Sequence, residues 1–414
     1  MPPATHELLR AIGMLSRDSG YRAYLVGGIV RDLMLGRENV DLDIAIEGDA
    51  ERLARTFARK TGSRMRSPTR FGTCKIESKA FGTLDIAATR SESYRASGAL
   101  PDVIPERIAG DLNRRDFSIN AMALSLNPGS YGRLLDPLKG SEDLAEGKLR
   151  VLHPGSFRDD PTRMLRGIRF AARYGFTFER GTSRLFSDAV SGGFLNRVSG
   201  KRVFTELKIL CKEQEAAEAL MMLRRRRLLE VIDPALGWDN MKLKHARLLG
   251  RALAAFDDAG PGRGLNEWQS WFAVLFAGIG RRKCDRLVKR LNLPGDLRRV
   301  CIWTASEIER TLARLGKLDT SRAYKVTRLL REVPPEGLVH LYLAGNRRER
   351  VLILKYISDW THVRPALTGG QIVDLGVGEG PQVGRMLEAI LKLKLSGRLH
   401  TRADEVDYVR RRAV

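Results

Sequence analysis

The strongest constraint on the fold is a change of texture near residue 140. Before it, strand and helix patterns alternate. Leu8, Leu9, Ile12 and Leu15 share one face and predict a helix within residues 1–24 that leads into a strand at 24–26. Gly27-Gly28 breaks that strand, a helix follows through 31–35, and Gly36 closes it. Residues 41–46 alternate polar and apolar, the mark of a half-buried strand. A helix is predicted over 50–61 and strands over 73–77 and 83–88, whereas 91–113, with Gly98, Pro101 and Pro105, reads as a loop with little regular structure. After residue 140 strand patterns nearly vanish. Apolar residues recur at helical spacing: Met164, Ile168 and Ala171; Leu207, Leu210 and Cys211; Leu228, Leu229 and Ile232. Gly175, Gly200 and Pro234 act as stops. The chain is therefore an α+β segment of about 135 residues followed by an all-helical remainder of about 270, with 261–264 as the expected flexible joint.

A length of 414 residues suggests two to four domains, at roughly 150 residues each. Apolar residues at 43% and charged residues at 29% exclude wholesale disorder, collagen and coiled coil. No run approaches the ~18 apolar residues of a membrane span. The N-terminus carries Glu7 and Arg10 and lacks a signal peptide's order, so a cytoplasmic location is expected, without membrane attachment. The cysteines at 74, 211, 284 and 301 are scattered, which argues against a disulfide framework or structural zinc. Net charge is +23, of which residues 1–150 carry +3 and residues 151–414 carry +20. A surface this basic attracts a polyanion, and nucleic acid is the default partner. A solubility device is the plainer alternative.

Chemistry concentrates first in Leu25-Val26-Gly27-Gly28-Ile29-Val30-Arg31-Asp32 and Asp41-Leu42-Asp43. A Gly-Gly pair between strand and helix lets backbone amides approach an anion closely. Asp41 and Asp43, two apart on a strand, point to one face. Adjacent carboxylates repel unless a cation sits between them, and Mg²⁺ prefers a few carboxylates with phosphate oxygens and water. This combination is what nucleotidyl transfer requires. Solvated aspartates beside an ordinary glycine turn would be the simpler reading of either half alone. Further on, Arg114 and Arg115 could clamp a triphosphate. Asp116 and Asn120 flank a predicted Phe117/Ile119 strand and could meet a ribose hydroxyl. Asp85 is a possible third carboxylate near the metal, though it reads equally as a solvated strand aspartate.

These segments resemble, in order, the signatures of the polymerase-β nucleotidyltransferase superfamily. More narrowly they resemble the class II tRNA nucleotidyltransferases (CCA- and A-adding enzymes) and bacterial poly(A) polymerases. Arg114-Arg115-Asp116-Phe117-Ser118-Ile119-Asn120-Ala121 is similar to the family's RRDFxxNA motif. Leu135-Asp136-Pro137, with Asp143-Leu144, resembles the head-to-neck motif. Residues 158–170 resemble the nucleotide-selecting helix, and Val198-Ser199-Gly200-Lys201-Arg202 with Glu206-Leu207 resembles the next neck motif. The match covers about residues 23–210. It implies a nucleotidyltransferase head (1–137), a nucleotide-selecting neck (138–210), and a helical body (211–310) and tail (311–414) that bind RNA.

The resemblance assigns Asp41 and Asp43 to catalytic Mg²⁺; Asp85 stays the possible third carboxylate of the local reading. Gly27, Gly28, Arg31, Arg114, Arg115, Asp116 and Asn120 would bind nucleotide. In the neck, Asp160 before Pro161 reads as a helix cap, and Asp159 and Arg163, four apart, could simply pair. A carboxylate and a guanidinium can instead read a base edge. In the family such an Asp/Arg pair is a protein template for the incoming base, which here implies Asp160 and Arg163. Asp159 stands where the family usually has Glu. Arg166 and Arg169 read as supports or substrate contacts. The run 224–227, four arginines in a helical stretch, is equally a solvated face or an RNA contact. Residues 372–380 superficially resemble a methyltransferase glycine loop, but the 34 residues after Gly380 read as helix rather than a βαβ sheet.

The expected activity is template-independent addition of nucleotides to the 3′ CCA end of tRNA from ATP and/or CTP, with no obligate protein partner. A-adding and full CCA-adding are favoured; poly(A) polymerase and CC-adding are the alternatives. Family members that add only CC tend to have a shortened segment between the two head motifs. Here 70 residues separate Asp43 from Arg114, which disfavours CC addition alone.

Overall fold

The computed structural model describes residues 2–38, 41–66, 72–260 and 264–413, and divides into two compact units. The first contains Met1–Glu206 and Arg225–Val231; the second contains Leu207–Arg224 and Ile232–Val414. Most of the joint predicted at 261–264 lies outside the described residues. Among the described residues, no helix is long and apolar enough to cross a membrane.

Unit 1 opens with helix α1 (Pro3–Asp18), strand β1 (Arg22–Val26), α2 (Gly28–Met34), β2 (Leu42–Glu47) and α3 (Ala50–Thr61). There follow β3 (Arg64–Met65), β4 (Cys74–Ser78), β5 (Gly82–Ala88), β6 (Arg90–Ser93), β7 (Asp102–Pro105), α4 (Ile108–Asn113), β8 (Ala123–Ser125) and β9 (Leu134–Leu135). Seven strands form one mixed sheet in the order β3-β4-β5-β2-β1-β8-β9. Within this sheet, among the described residues, only β2 and β5 pair in parallel. Asp49 caps α3 by accepting from the Arg52 amide, and Gly62 ends it in the left-handed conformation. Alternation along β2 buries Leu42, Ile44 and Ile46. On the opposite face Tyr24, Val26, Ala45 and Ala123 pack against Ile108 and Leu112 of α4. The sheet is thus sealed along its length while its open end, where β1 stops and β2 starts, stays free for chemistry.

Unit 1 continues with α5 (Gly140–Ala145), α6 (Ser156–Asp159), α7 (Thr162–Tyr174), α8 (Arg180–Ser191) and α9 (Gly200–Lys212), the last running on into unit 2. Two two-residue strands, Lys148–Leu149 and Thr177–Phe178, pair in parallel within it. Gly175, at φ +70, terminates α7. Unit 2 is helical. Its longest helix, Asn240–Ala259, packs on Pro335–Ala344 and brings together the buried His245 and His340. The four cysteines are free and buried.

Several local expectations are corrected. Residues 91–113 are not a loop: β6 and β7 form an antiparallel hairpin, with Arg90 opposite Pro105, and α4 follows. Each strand is only four residues long and Gly98 and Pro101 sit in the connection, so the turn chemistry masked the strands. Phe117 and Ile119 do not form a strand. Residues Ser118–Asn120 make a 3₁₀ turn, and Phe117 makes an isolated bridge to Val151. The arginine run spans a helix break, because Arg227 adopts φ +53. There Arg226 donates to Ser183 at 3.1 Å and lies over the rings of Phe178 and Phe186. Residues 372–374 belong to the helix Gly369–Asp374.

Candidate active site

β1 and β2 are antiparallel with Leu25 opposite Ile44. That register sets the Gly27-Gly28 turn against Asp41 and Asp43. Gly27 has φ +78, and a Cβ there would lie 3.1 Å from Arg115 Nη1 and 3.5 Å from Asp43 Oδ2. Glycine supplies both the backbone sign and the room.

Asp43 on β2 is also in register with Asp85 on β5. Such neighbours on adjacent strands project to the same face. Asp43 opens onto the cavity. Even so, loss of solvent, then the charge of Asp85 with a smaller push from Asp41, outweighs Arg115 and Lys75 and raises its pKa to about 6. Asp85 Oδ1 is buried with no hydrogen bond among the described residues, and Lys75 Nζ stands 3.5 Å away. Carboxylates crowded against their own repulsion, one oxygen orphaned, form a donor set that fits a hard divalent cation. Among the described residues no group of three or more His, Cys, Asp or Glu is preformed to hold a metal.

The positive wall is organised by Asp111 at the end of α4. Its Oδ1 accepts from Arg114 Nε at 2.9 Å and its Oδ2 from Arg115 Nη2 at 2.8 Å. Burial would raise the Asp111 pKa, but the two guanidiniums outweigh it and hold it low. Arg114 Nη1 also donates to Glu92 of the hairpin at 2.7 Å.

A buried polar chain runs from α2 through Asn120 and Asp116 to α7. Arg31 grips both oxygens of Asp32 (2.9 and 3.0 Å) and donates to Asn120 Oδ1 at 2.5 Å. The same guanidinium lies 4.7 Å from the Tyr174 ring centroid. Asn120 Nδ2 donates to Asp116 Oδ1 at 2.9 Å, and Arg166 grips Asp116 Oδ2. Burial would raise Asp116, but Arg166 and these hydrogen bonds prevail and keep it well below the usual carboxylate range.

Asp160 Oδ1 accepts from the Thr162 amide at 3.0 Å and Thr162 Oγ1 at 2.7 Å, so Asp160 does bind the start of α7, which begins one residue later than expected. Arg163 is 4% exposed. It donates to Ser156 Oγ at 2.6 Å and to the Arg114 carbonyl at 2.7 Å. The plainer alternative, an Asp159–Arg163 pair, does not form among the described residues, and Asp159 faces His153 at 3.8 Å.

One cavity of about 990 Å³ collects these groups. It is lined by Gly27, Gly28, Arg31, Asp41 and Asp43; by Arg114, Arg115, Asp116 and Asn120; and by Asp160, Arg163, Arg166 and Arg169. Asp159 and Asp85 do not line it; Asp85 stands behind Asp43. The lining also includes Glu92 and Tyr94, which the sequence does not single out, Thr205, and Arg202 and Glu206 of the motif at 198–207. The alternation of Arg90-Ser91-Glu92-Ser93 was the available signal for the first two.

A glycine turn, a carboxylate pair and an arginine wall at the end of a mixed sheet define a nucleotidyltransferase head. Residues 23–150 match the Poly A polymerase head domain. The chain is 32% identical to the A-adding tRNA nucleotidyltransferase of Halalkalibacterium halodurans over 98% of its own length and 92% of that protein. It is also 32% identical to the A-adding tRNA nucleotidyltransferase of Geobacter sulfurreducens over 98% of its length, but spans only 47% of that relative. The Thermotoga maritima CCA-adding enzyme in complex with tRNA superposes with a TM-score of 0.80 at 28% identity, over 99% of this chain and 95% of that one. The chain belongs to the family of A-adding and CCA-adding tRNA nucleotidyltransferases, enzymes of CCA-end addition that generally use divalent metal ions.

Proposed function

We propose that this protein adds AMP from ATP to the 3′ end of tRNA, completing CCA, with Mg²⁺ as the metal. The observation that carries the reading is the meeting, in one cavity, of the Gly27-Gly28 turn and the Asp41/Asp43 pair with Asp160 and Arg163. Asp41 and Asp43, backed by Asp85, would hold Mg²⁺, which when bound supplies positive charge to the triphosphate and acidifies the RNA 3′-hydroxyl. The Gly27-Gly28 backbone approaches the phosphates, and Arg115 and Arg114 neutralise them. Asp116 and Asn120 meet the ribose, held in place by Arg31 and Arg166.

Base choice falls to Asp160 and Arg163. Adenine and cytosine each present an amino donor beside a ring-nitrogen acceptor; guanine and uracil present a carbonyl beside an N–H. A carboxylate that accepts and a guanidinium that donates match the first pattern and clash with the second. The basic remainder of the chain holds RNA by its backbone. A-addition is favoured by the A-adding relatives aligned along 98% of the chain. Full CCA addition is the second reading, favoured by the likeness to the Thermotoga enzyme over 99% of it.

The deciding experiment incubates the protein with tRNAs ending before CCA, at C and at CC, with each labelled nucleoside triphosphate. A-addition predicts incorporation from ATP onto the CC end alone. CMP incorporation onto the shorter tRNAs would transfer the assignment to CCA addition. Incorporation of many adenylates onto unrelated RNA would indicate a poly(A) polymerase.

A further inference from the structure

Two helices of unit 2 face each other across an unfilled gap. On Ala323–Leu330 and the residue after it, Tyr324, Thr327, Arg328 and Arg331 fall at i, i+3, i+4 and i+7, one stripe of the helix. On Pro381–Leu395, Gly384, Leu387, Glu388 and Leu391 repeat that spacing. Where Ala323 meets Leu391 and Leu395 the helices pack, with Tyr324, Trp360 and Val363 against them. Beyond that contact a cavity of about 580 Å³ opens, lined by both stripes and by Arg364, Pro365 and Leu367. A Cβ on Gly384 would meet nothing within 4 Å, so the glycine leaves space that a side chain could take.

The cavity has the marks of a built site. Thr327 is 3% exposed, and its Oγ1 is buried with no hydrogen bond among the described residues. A helical threonine can turn its hydroxyl back to a carbonyl of the preceding turn, as Thr56 does to Arg52 at 2.9 Å. Thr327 leaves an unsatisfied hydroxyl in the cavity wall instead, a cost that a bound partner would remove. The wall is also held in place. Fully buried Glu405 accepts from the Ala366 amide at 2.8 Å and the Leu367 amide at 3.1 Å through one oxygen, and from Lys394 Nζ at 2.5 Å through the other. Arg364 Nη1 donates to the carbonyls of Thr361 at 2.7 Å and Val363 at 2.9 Å. The Tyr324 hydroxyl donates to Glu388, a bond across the gap from one helix to the other.

The lining chemistry selects the ligand. A cavity of this size suits a small molecule. Pro365 and three leucines offer an apolar slot, while Arg328, Arg331 and Arg364 set three exposed guanidiniums against the one carboxylate of Glu388. Guanidinium forks match phosphate oxygens. A phosphate within an RNA strand is a diester with one charge, whereas a phosphate monoester carries close to two, so three guanidiniums favour the monoester. Glu388 can accept from an exocyclic amino group, and the Thr327 hydroxyl can donate to the ring nitrogen beside it, which is the edge adenine presents. We propose that this cavity is a second nucleotide site, for a free amino-bearing nucleoside monophosphate such as AMP, with the phosphate on the three arginines and the base in the leucine slot. It stands apart from the reading of Asp160 and Arg163.

Equilibrium dialysis of the full chain with labelled AMP tests this, with UMP and inorganic phosphate as competitors. UMP should compete about tenfold less well than AMP, and inorganic phosphate less well again. Gly384→Phe, whose ring occupies the open space, should abolish AMP binding. Thr327→Val has nearly the same shape without the hydroxyl. It should melt no lower than the native chain, because an unsatisfied polar group is gone, and bind AMP about tenfold more weakly. Arg115→Ala, in the active site, should bind AMP as the native chain does. AMP binding unchanged in both Gly384→Phe and Thr327→Val would overturn the proposal. So would binding lost in Arg115→Ala but kept in Gly384→Phe, which would put AMP in the active site, or inorganic phosphate competing as well as AMP, which would reduce the cavity to an anion patch. No AMP binding by the native chain, together with weakened tRNA binding in Gly384→Phe, would give the cavity to an RNA strand and overturn it too. Should Gly384→Phe fail to fold, Thr327→Val and Arg331→Gln decide: native AMP affinity in both overturns the proposal.

Discussion

Asp116 and Arg166 form a two-point ion pair in which Nε at 2.8 Å and Nη2 at 2.6 Å both donate to a single oxygen, Oδ2. The pair links the RRD segment of the head to α7. Asp116 is 5% exposed and the Arg166 side chain 37%, so the carboxylate suffers more from losing its partner than the guanidinium does.

Arg166→Ala should therefore destabilise unit 1 by about 2–3 kcal/mol, below the cost of breaking a fully buried pair because Arg166 retains some water. Chemical denaturation checks this. The double replacement Asp116→Asn/Arg166→Met should recover part of the loss, since no uncompensated charge remains.

Asp43→Ala should abolish nucleotide incorporation while tRNA binding, measured by filter retention, persists. In the native protein Asp43 must lose its proton before it can hold a cation. With its pKa raised to about 6, divalent-cation affinity should be flat above that pH and fall about tenfold per unit below it. Calorimetric titration with Mg²⁺ between pH 5 and 8 reads this directly; an affinity independent of pH would remove Asp43 from the ligand set.

RNA capture should be electrostatic. Residues 151–414 carry +20 of the net +23. If about six phosphates are contacted, tRNA affinity of the full chain should drop on the order of 10³-fold between 50 and 200 mM salt. A flat salt response would contradict a backbone-held RNA.

His245 and His340 predict an acid sensitivity in unit 2. Their Nδ1 atoms lie 2.9 Å apart, and His340 Nε2 faces the Ser270 carbonyl at 3.0 Å. His340 Nε2 must donate to that carbonyl, so its Nδ1 accepts from His245 Nδ1–H. Burial pushes both pKa values down, and the neighbouring His340 adds to the shift at His245. Both rings stay neutral in the fold but take up protons once unfolded, so stability is lost as pH falls below the ordinary histidine value of about 6.5. The loss should approach 1.4 kcal/mol per pH unit for each ring. Denaturation of His340→Gln should show a shallower slope between pH 6.5 and 5.

The motifs legible in sequence were those whose chemistry is local. Gly27-Gly28 beside Asp41 and Asp43 follows from one strand register, and the helical period after residue 140 needs no partner to be read. Contacts between distant segments were not legible. Nothing near Arg202 in sequence announces its hydrogen bond to the Gly98 carbonyl, 104 residues away. The β6–β7 hairpin was lost because its strands are short and its glycine and proline read as loop. Arg163 passed over Asp159 for Ser156 and the Arg114 carbonyl, a choice fixed by tertiary packing rather than by helical spacing.

Unit 1 is assembled from two stretches of chain, Met1–Glu206 and Arg225–Val231. The second stretch brings Leu228 and Leu229, both fully buried. A newborn chain that has emerged only to residue 206 still lacks this piece of its own first core. The missing 25 residues, 207–231, must be translated before the unit can close. At about 5–20 residues per second that is a wait of roughly 1–5 s, during which the apolar faces that Leu228 and Leu229 will cover stand open to solvent. Ribosome pausing within 207–231 would lengthen that exposure, and any chaperone that shields this protein has its first work there.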